Sequence, residues 1–275
     1  MRKILFALTA LLVSFTSFAQ VDNTLDSLET VYKDDNITFR KIDNNTWLGT
    51  GNVEPLESLY LIRGTEKAVL IDAGTTIPDL DKIAAQVAGK PVTLLLTHVH
   101  PDHAGSVNCF EQVWISAGDT VNIPEYMPDY KGEVNFMENG QLFELGGRTL
   151  KAYFTPGHTP GSVTFLEVGT DTGYCGDSFG NGKGGKKGSI LVLTSLDSII
   201  DVCRKAYQYF QDNGYRKFYC GHFSGKNFVT LDWLQHVESF AKEVKAGKYE
   251  IKPIKNFMTL NSEVSYAGFT MWYIR

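Results

Sequence analysis

The segment Thr97-His98-Val99-His100-Pro101-Asp102-His103-Ala104-Gly105 constrains this chain more than any other, because it sets four potential metal ligands within six residues directly after an apolar run. That run, Val-Thr-Leu-Leu-Leu at 92–96, predicts a buried strand. Side chains two apart on an extended chain share a face, so His98 and His100 face one point. Pro101 cannot continue a strand ladder but suits the first turn of a helix. Asp102 and His103 therefore project from a strand-to-helix corner beside that point, and one corner offers ligands for two adjacent metal sites.

Two more of the six histidines stand at corners of the same kind: His158 in Thr155-Pro156-Gly157-His158-Thr159-Pro160-Gly161, and His222 in Tyr219-Cys220-Gly221-His222. A third corner, Cys175-Gly176-Asp177-Ser178, supplies a carboxylate. Each is a short strand running into glycine, and strand-end loops are where a rigid scaffold presents reactive groups. Five histidines and two aspartates make a full dinuclear set. The sixth histidine, His236, falls on the polar side of a predicted helix with Asp232, Ser239 and Glu243, and is read as solvated.

The His-x-His-x-Asp-His motif, followed by His, Asp and His in that order, resembles the metallo-β-lactamase superfamily over roughly residues 37–247. The resemblance implies an α/β (α+β) chain folded as an αββα four-layer sandwich, two mixed β-sheets flanked by helices, with a dimetal site at one edge. It further implies that His98, His100 and His158 hold one metal, that Asp102, His103 and His222 hold the other, and that Asp177 bridges them. Imidazole and carboxylate ligands suit two Zn²⁺ per chain, with iron or manganese open by ligand type. A metal lowers the pKa of bound water from 15.7 to about 7, so a hydroxide held between two metals is the expected nucleophile. Asp102 is the expected catalytic residue, placed to orient it or relay a proton. An aspartate at 177, where one group of true β-lactamases carries a cysteine, makes the set similar to hydroxyacylglutathione hydrolases, lactonases and phosphodiesterases. Hydrolysis of a carboxylic ester, thioester or lactone is the expectation. A phosphodiesterase, a β-lactamase-like hydrolase and an iron-dependent sulfur dioxygenase remain alternatives.

Outside the motif, the chain opens with Met1-Arg2-Lys3, the apolar stretch 4–13 and Ser17-Phe18-Ala19-Gln20. This pattern predicts a signal peptide over residues 1–19, cleaved before Gln20, and hence a periplasmic or secreted protein with no stable membrane insertion after cleavage. Losing Arg2 and Lys3 leaves 24 basic against 31 acidic residues. That acidic balance disfavours nucleic acid, whose phosphates demand a basic surface, and leaves a small-molecule substrate as the expected partner. The oligomeric state is left open. The four cysteines, Cys109, Cys175, Cys203 and Cys220, have no Cys-x-x-Cys spacing and are read as unpaired. Cys175 and Cys220 each precede a proposed ligand by two residues and should face its side of the strand.

At 43% hydrophobic residues the chain can bury a sizeable core. Residues 20–36 read as a poorly ordered polar lead-in with room for one short helix, 37–247 as the main domain and 248–275 as an extension packed on it. Strands are predicted at 37–42, 46–48, 58–62, 68–72, 92–96, 113–116, 141–145, 149–155, 162–167, 173–176 and 217–220. Helices are predicted from Pro78 to Gly89, at 195–212 and at 230–245, with 118–130 irregular. The alternation over 266–274 predicts one more strand, with large apolar groups on both faces. Gly180-Asn181-Gly182-Lys183-Gly184-Gly185-Lys186-Lys187-Gly188 reads as a mobile loop whose lysines could draw an anionic substrate.

Overall fold

In the computed structural model, which describes residues 25–53, 56–182 and 187–275, the first eight strands form one sheet in chain order. These are β1 (Thr30–Lys33), β2 (Ile37–Asp43), β3 (Thr46–Gly51), β4 (Ser58–Arg63), β5 (Ala68–Ile71), β6 (Val92–Leu95), β7 (Gln112–Ser116) and β8 (Glu133–Met137). Pairing is antiparallel through β5 and parallel from β5 to β8. The change of sense follows from α1 (Leu80–Ala88), the crossover that returns the chain to the start of β6, and the one-turn helices α2 (Pro101–Ala104) and α3 (Ile123–Tyr126) follow β6 and β7. Alternation sorts the side chains. Leu59, Leu61, Leu70 and Leu94 share a buried cluster with Leu80, Ile83 and Ala84 of α1. Tyr60, Ile62, Val69, Ile71 and Leu95 share another with residues of the second half of the chain. Each such aliphatic side chain, once buried, contributes about 1.5–3 kcal/mol.

That second half begins with β9 (Leu142–Glu144), β10 (Thr149–Phe154), β11 (Val163–Glu167) and β12 (Thr172–Gly176). After β13 (Asn181–Gly182), β14 (Gly188–Val192) and α4 (Leu196–Asp212), it continues with β15 (Lys217–Cys220), β16 (Val229–Thr230) and α5 (Leu231–Lys245). The second sheet runs β16-β15-β12-β11-β10-β9, with β12 and β15 parallel. Helices α4 and α5 cover it through Ile199, Cys203, Phe210, Val237 and Phe240, while Leu150, Ala152, Phe165 and Tyr174 belong to the same buried cluster as the inner face of the first sheet. Helix, sheet, sheet and helix therefore stack as expected from the family resemblance.

Three features depart from the sequence reading. A third sheet, β13-β14-β19-β18-β17, is completed by β17 (Lys252–Phe257), β18 (Leu260–Tyr266) and β19 (Phe269–Tyr273), so the extension supplies three strands where one was expected. Strands β1, β8 and β14 were not anticipated, and β1 turns part of the expected lead-in into a sheet edge. Helix α1 starts at Leu80, two residues after Pro78, because Asp79 sits in the left-handed region at φ 53°. Among the described residues no helix is long and apolar enough to cross a membrane. The expected signal peptide, residues 1–19, and Lys183 to Lys186 of the expected mobile loop lie outside the described residues.

Candidate metal centre

All seven residues singled out from the sequence come together where the ends of β6, β10, β12 and β15 meet. Pro101 opens α2 (Pro101–Ala104) at its first position, with His100 as the extended residue before it. The chain thus turns from strand to helix inside the motif, so His98 and His100 leave from the strand side and Asp102 and His103 from the helix side. His158 follows β10, Asp177 follows β12 and His222 follows β15. The last two are brought together by the parallel β12–β15 pair, extended by Gly221 N donating to Gly176 O at 2.8 Å. Only glycine fits at 221, since a Cβ there would lie 2.3 Å from Asp177 Oδ1 and 2.7 Å from His103 Cε1.

The ring nitrogens of His98, His100 and His158 form a triangle. His98 Nε2 lies 3.0 Å from His100 Nδ1, and His158 Nε2 lies 3.1 Å from each. Two nitrogens bound tetrahedrally to one Zn²⁺ stand about 3.3 Å apart. Beside the triangle, His222 Nε2 is 3.4 Å from Asp102 Oδ2 and 3.4 Å from Asp177 Oδ2, while His103 Nε2 is 3.6 Å from Asp102 Oδ2 and 3.8 Å from Asp177 Oδ1. Asp177 Oδ2 also lies 4.0 Å from His158 Nε2, so this carboxylate faces both clusters. His98, His100 and His158 form one group of potential metal donors, and Asp102, His103 and His222 form another. His98, His103 and Asp177 make a third group that joins them.

Two observations test whether cations fit here. His103 Nε2 and Asp177 Oδ1 are buried without a hydrogen-bond partner, which costs about 1–3 kcal/mol each in a protein that never fills the site. The second is electrostatic. Burial, with the neighbouring imidazoles, holds His98 well below the usual histidine range and pushes His100 down to about 3, and burial also lowers His158. Their lone pairs stay available to a metal. Against burial, the Asp102 and Asp72 carboxylates raise His103 to about 9, and the Asp177 and Asp102 carboxylates raise His222 to about 11. The positive charge these carboxylates draw in as protons is the charge that a divalent cation would supply. The residues fit a pair of divalent cations.

Sequence reasoning missed the residues that hold the ligands in place. Asp72, 1% exposed, accepts from His103 Nδ1 at 2.8 Å and from Thr97 N at 2.7 Å, fixing the ring that must present Nε2. A charged residue closing the apolar strand β5 was the available signal. Asp119, also 1% exposed, accepts from Val99 N at 2.7 Å, Thr159 Oγ1 at 3.0 Å and Gly161 N at 2.7 Å, and so ties the motif to the His158 loop. It lies in a stretch with no motif. The Leu191 carbonyl accepts from His158 Nδ1 at 2.9 Å.

The remaining expectations divide. All four cysteines carry unbridged thiols, with Cys175, Cys203 and Cys220 buried. Cys175 does not follow simple alternation to the side of Asp177. A register shift separates Tyr174 from Gly176, Gly176 has φ 49°, and Cys175 Sγ donates to Tyr219 O at 3.4 Å within the core. His236 is not simply solvated: its half-buried ring packs 5.1 Å from Phe269 and 5.7 Å from Trp233, because β19 covers that side of α5.

Comparison with known proteins agrees with this geometry. A family model described as the metallo-beta-lactamase superfamily matches residues 56–222, more than half of the chain. The chain is 31% identical over 121 residues to a hydroxyacylglutathione hydrolase of Xylella fastidiosa, covering 43% of each chain. It is 29% identical over 154 residues to the atrochrysone carboxyl ACP thioesterase of Aspergillus fumigatus, covering 54% of this chain and 48% of that one. It is 33% identical over 123 residues to the lactamase-like protein ptaB of Pestalotiopsis fici, covering 43% of this chain and 38% of that one. The chain thus spans less than half the length of these curated relatives. Among solved structures, a metallo-beta-lactamase from Pontibacter korlensis aligns with a TM-score of 0.60 at 20% identity, over 75% of this chain and 99% of that one. At that identity the likeness speaks for the fold alone.

Proposed function

This chain belongs to the metallo-beta-lactamase superfamily, and from that premise we propose that it is an exported, zinc-dependent hydrolase of carboxylic esters, thioesters or lactones. The observation that carries the reading is Asp177, a carboxylate whose two oxygens face both histidine clusters at the place where one group of true β-lactamases carries a cysteine. The nearby Cys175 thiol is turned into the core and pushed well up by burial, so it is not a substitute ligand. Relatives that are a thioesterase and a hydroxyacylglutathione hydrolase support the same substrate class. We assign His98, His100 and His158 to one cation, Asp102, His103 and His222 to the other, and Asp177 to both.

When bound, the cations would supply an acidified water and polarise the substrate carbonyl. The protein's own contribution is positional. Asp72 holds His103, the Leu191 carbonyl holds His158, and Asp119 holds the two loops at a fixed separation. Against burial, His103 and His222 lower Asp102 to about 2, so its carboxylate stays ionised. With its side chain 21% exposed, Asp102 can accept a hydrogen bond from the attacking water at Oδ1, leaving Oδ2 toward His103 and His222, and pass the proton toward solvent or the leaving group. The carbonyl carbon gains an oxygen, the bond to the leaving oxygen or sulfur breaks, and that atom takes up a proton.

The test is catalytic efficiency across matched thioesters, esters, lactones, phosphodiesters and β-lactams, with oxygen uptake followed on a persulfide. The expected best substrate is a thioester, ester or lactone. A β-lactam or phosphodiester turned over more efficiently than all of these, or oxygen uptake by an iron-loaded sample, overturns the assignment. Export is tested by fractionation and by the mature N-terminus, expected at Gln20.

A further inference from the structure

Trp233 makes a hydrogen bond that the packing of its own helix does not need. It stands in the first turn of α5, where the N-cap Thr230 accepts from Trp233 N at 3.4 Å, and its side chain is buried. The indole Nε1 donates to Phe179 O at 2.8 Å, a buried bond between residues 54 apart in sequence. Apolar packing alone would be met here by phenylalanine or leucine, since a buried indole N–H has to find a partner.

Phe179 comes two residues after Asp177, and the turn between them is tightly tied. Ser178 N donates to Cys175 O at 3.0 Å and Gly180 N to Asp177 O at 2.9 Å, while Ser178 Oγ lies 2.8 Å from Thr155 Oγ1 at the end of β10. Gly180 runs so close to β14 that a Cβ there would lie 2.1 Å from Ser189 O. The Asp177 oxygens face the imidazoles of His103, His158 and His222, and Oδ1 accepts no hydrogen bond. The place of this carboxylate is therefore set by the backbone of the turn beneath it. Behind the indole stands the C-terminal extension: Phe269 of β19 packs edge to face on Trp233 with ring centroids 5.3 Å apart. Trp233 and Phe269 both follow residue 222, where the family match ends, so this support lies outside the matched region.

We propose that Trp233 is a positioning residue for Asp177: its indole N–H fixes the Phe179 carbonyl and so sets the carboxylate between the two histidine clusters, with β19 as its backing. The proposal rests on the assignment of Asp177 to both cations made above. It is read in metal affinity, so the substrate class does not enter.

Zinc affinity of the full chain is measured by competition with a chromophoric chelator. Trp233→Phe, which keeps a buried ring and removes the donor, is expected to weaken it about tenfold, as is usual when a group that orients a metal ligand is lost. Val244→Ala, at a buried position about three turns further along α5, is expected to lower the urea midpoint and leave zinc affinity unchanged, which separates positioning from helix packing. In Asp177→Ala protein, itself a weak binder, adding Trp233→Phe is expected to change affinity less than about twofold, because the group it positions is gone. Phe269→Leu loosens the indole and keeps its N–H, and gives a second reading: a loss of about threefold that also vanishes on the Asp177→Ala background.

Wild-type zinc affinity in Trp233→Phe and Phe269→Leu, beside weak binding by Asp177→Ala, overturns the positioning role alone. So does an equal loss on both backgrounds, since the indole would then act through another ligand. Wild-type affinity in Asp177→Ala overturns the ligand assignment first, and the positioning role with it.

Discussion

Asp119 never approaches the reaction, yet it accepts hydrogen bonds from two separate ligand loops inside the protein. Replacing Asp119→Ala strands buried donors at Val99, Thr159 and Gly161, at about 1–3 kcal/mol apiece. We expect the folded state to lose about 3–5 kcal/mol in urea unfolding, with the variant retaining less than one equivalent of zinc after dialysis. A variant with wild-type stability and full metal content would show the loops to be fixed by other means. The contrast with the ligands explains what was legible at this scale. His98, His100, Asp102 and His103 were visible because four polar groups crowded behind an apolar strand have no packing reason to be there. Asp72 and Asp119 were not, since a single aspartate in a sequence looks the same whether it caps a turn in water or holds an imidazole in the core.

Helix α4 does more than cover the second sheet. Its N-cap Ser195 accepts from Ser198 N at 3.0 Å, Ser198 Oγ donates to Pro156 O at 2.6 Å, and Thr194 Oγ1 donates to Gly157 O at 2.6 Å. The start of the helix therefore grips the loop that delivers His158. Ser195→Ala is expected to cost about 1 kcal/mol as a lost cap, read by chemical denaturation. Ser198→Ala, which removes one of the two holds on the loop but not the cap, is expected to lower zinc retention more than it lowers stability. Helices α4 and α5 were legible end to end, because each begins at a capping Ser or Thr and repeats its apolar face every three or four residues. The strands that escaped lacked such a signature. Strand β8 alternates weakly at a sheet edge, β14 follows a glycine- and lysine-rich run, and β17 mixes lysines with a proline. The third sheet was hidden for a further reason. Its central pairing, parallel β14 with β19, joins segments on either side of α4 and α5, and no local pattern announces a partner that distant.

At the scale of the whole molecule the αββα stack was legible through its motif, and the seven proposed ligands are contributed by both sheets. Binding that favours the folded chain stabilises it by about 2.7 kcal/mol per site at a hundredfold excess of metal over its dissociation constant. A domain of this size shifts by about 2–4 °C per kcal/mol. Chelation is therefore expected to lower the melting temperature by about 10–20 °C in a circular dichroism melt, and an unchanged midpoint would mean that the site does not bind metal in the folded protein. Because four of the proposed ligands stand at the end of β6 and three at the ends of β10, β12 and β15, neither sheet by itself supplies all the donors of either cluster. The site is a seam, and a seam exists only after both sides have docked. The ends it joins are far apart along the chain, and contacts of that kind form late in folding because the loop entropy must be met first. Metal uptake is therefore expected to be the closing event of folding. In a refolding experiment followed by tryptophan fluorescence and a chromophoric zinc indicator, capture of zinc should lag the collapse of the two cores, and a nascent chain released before β10 is made should emerge without its metals.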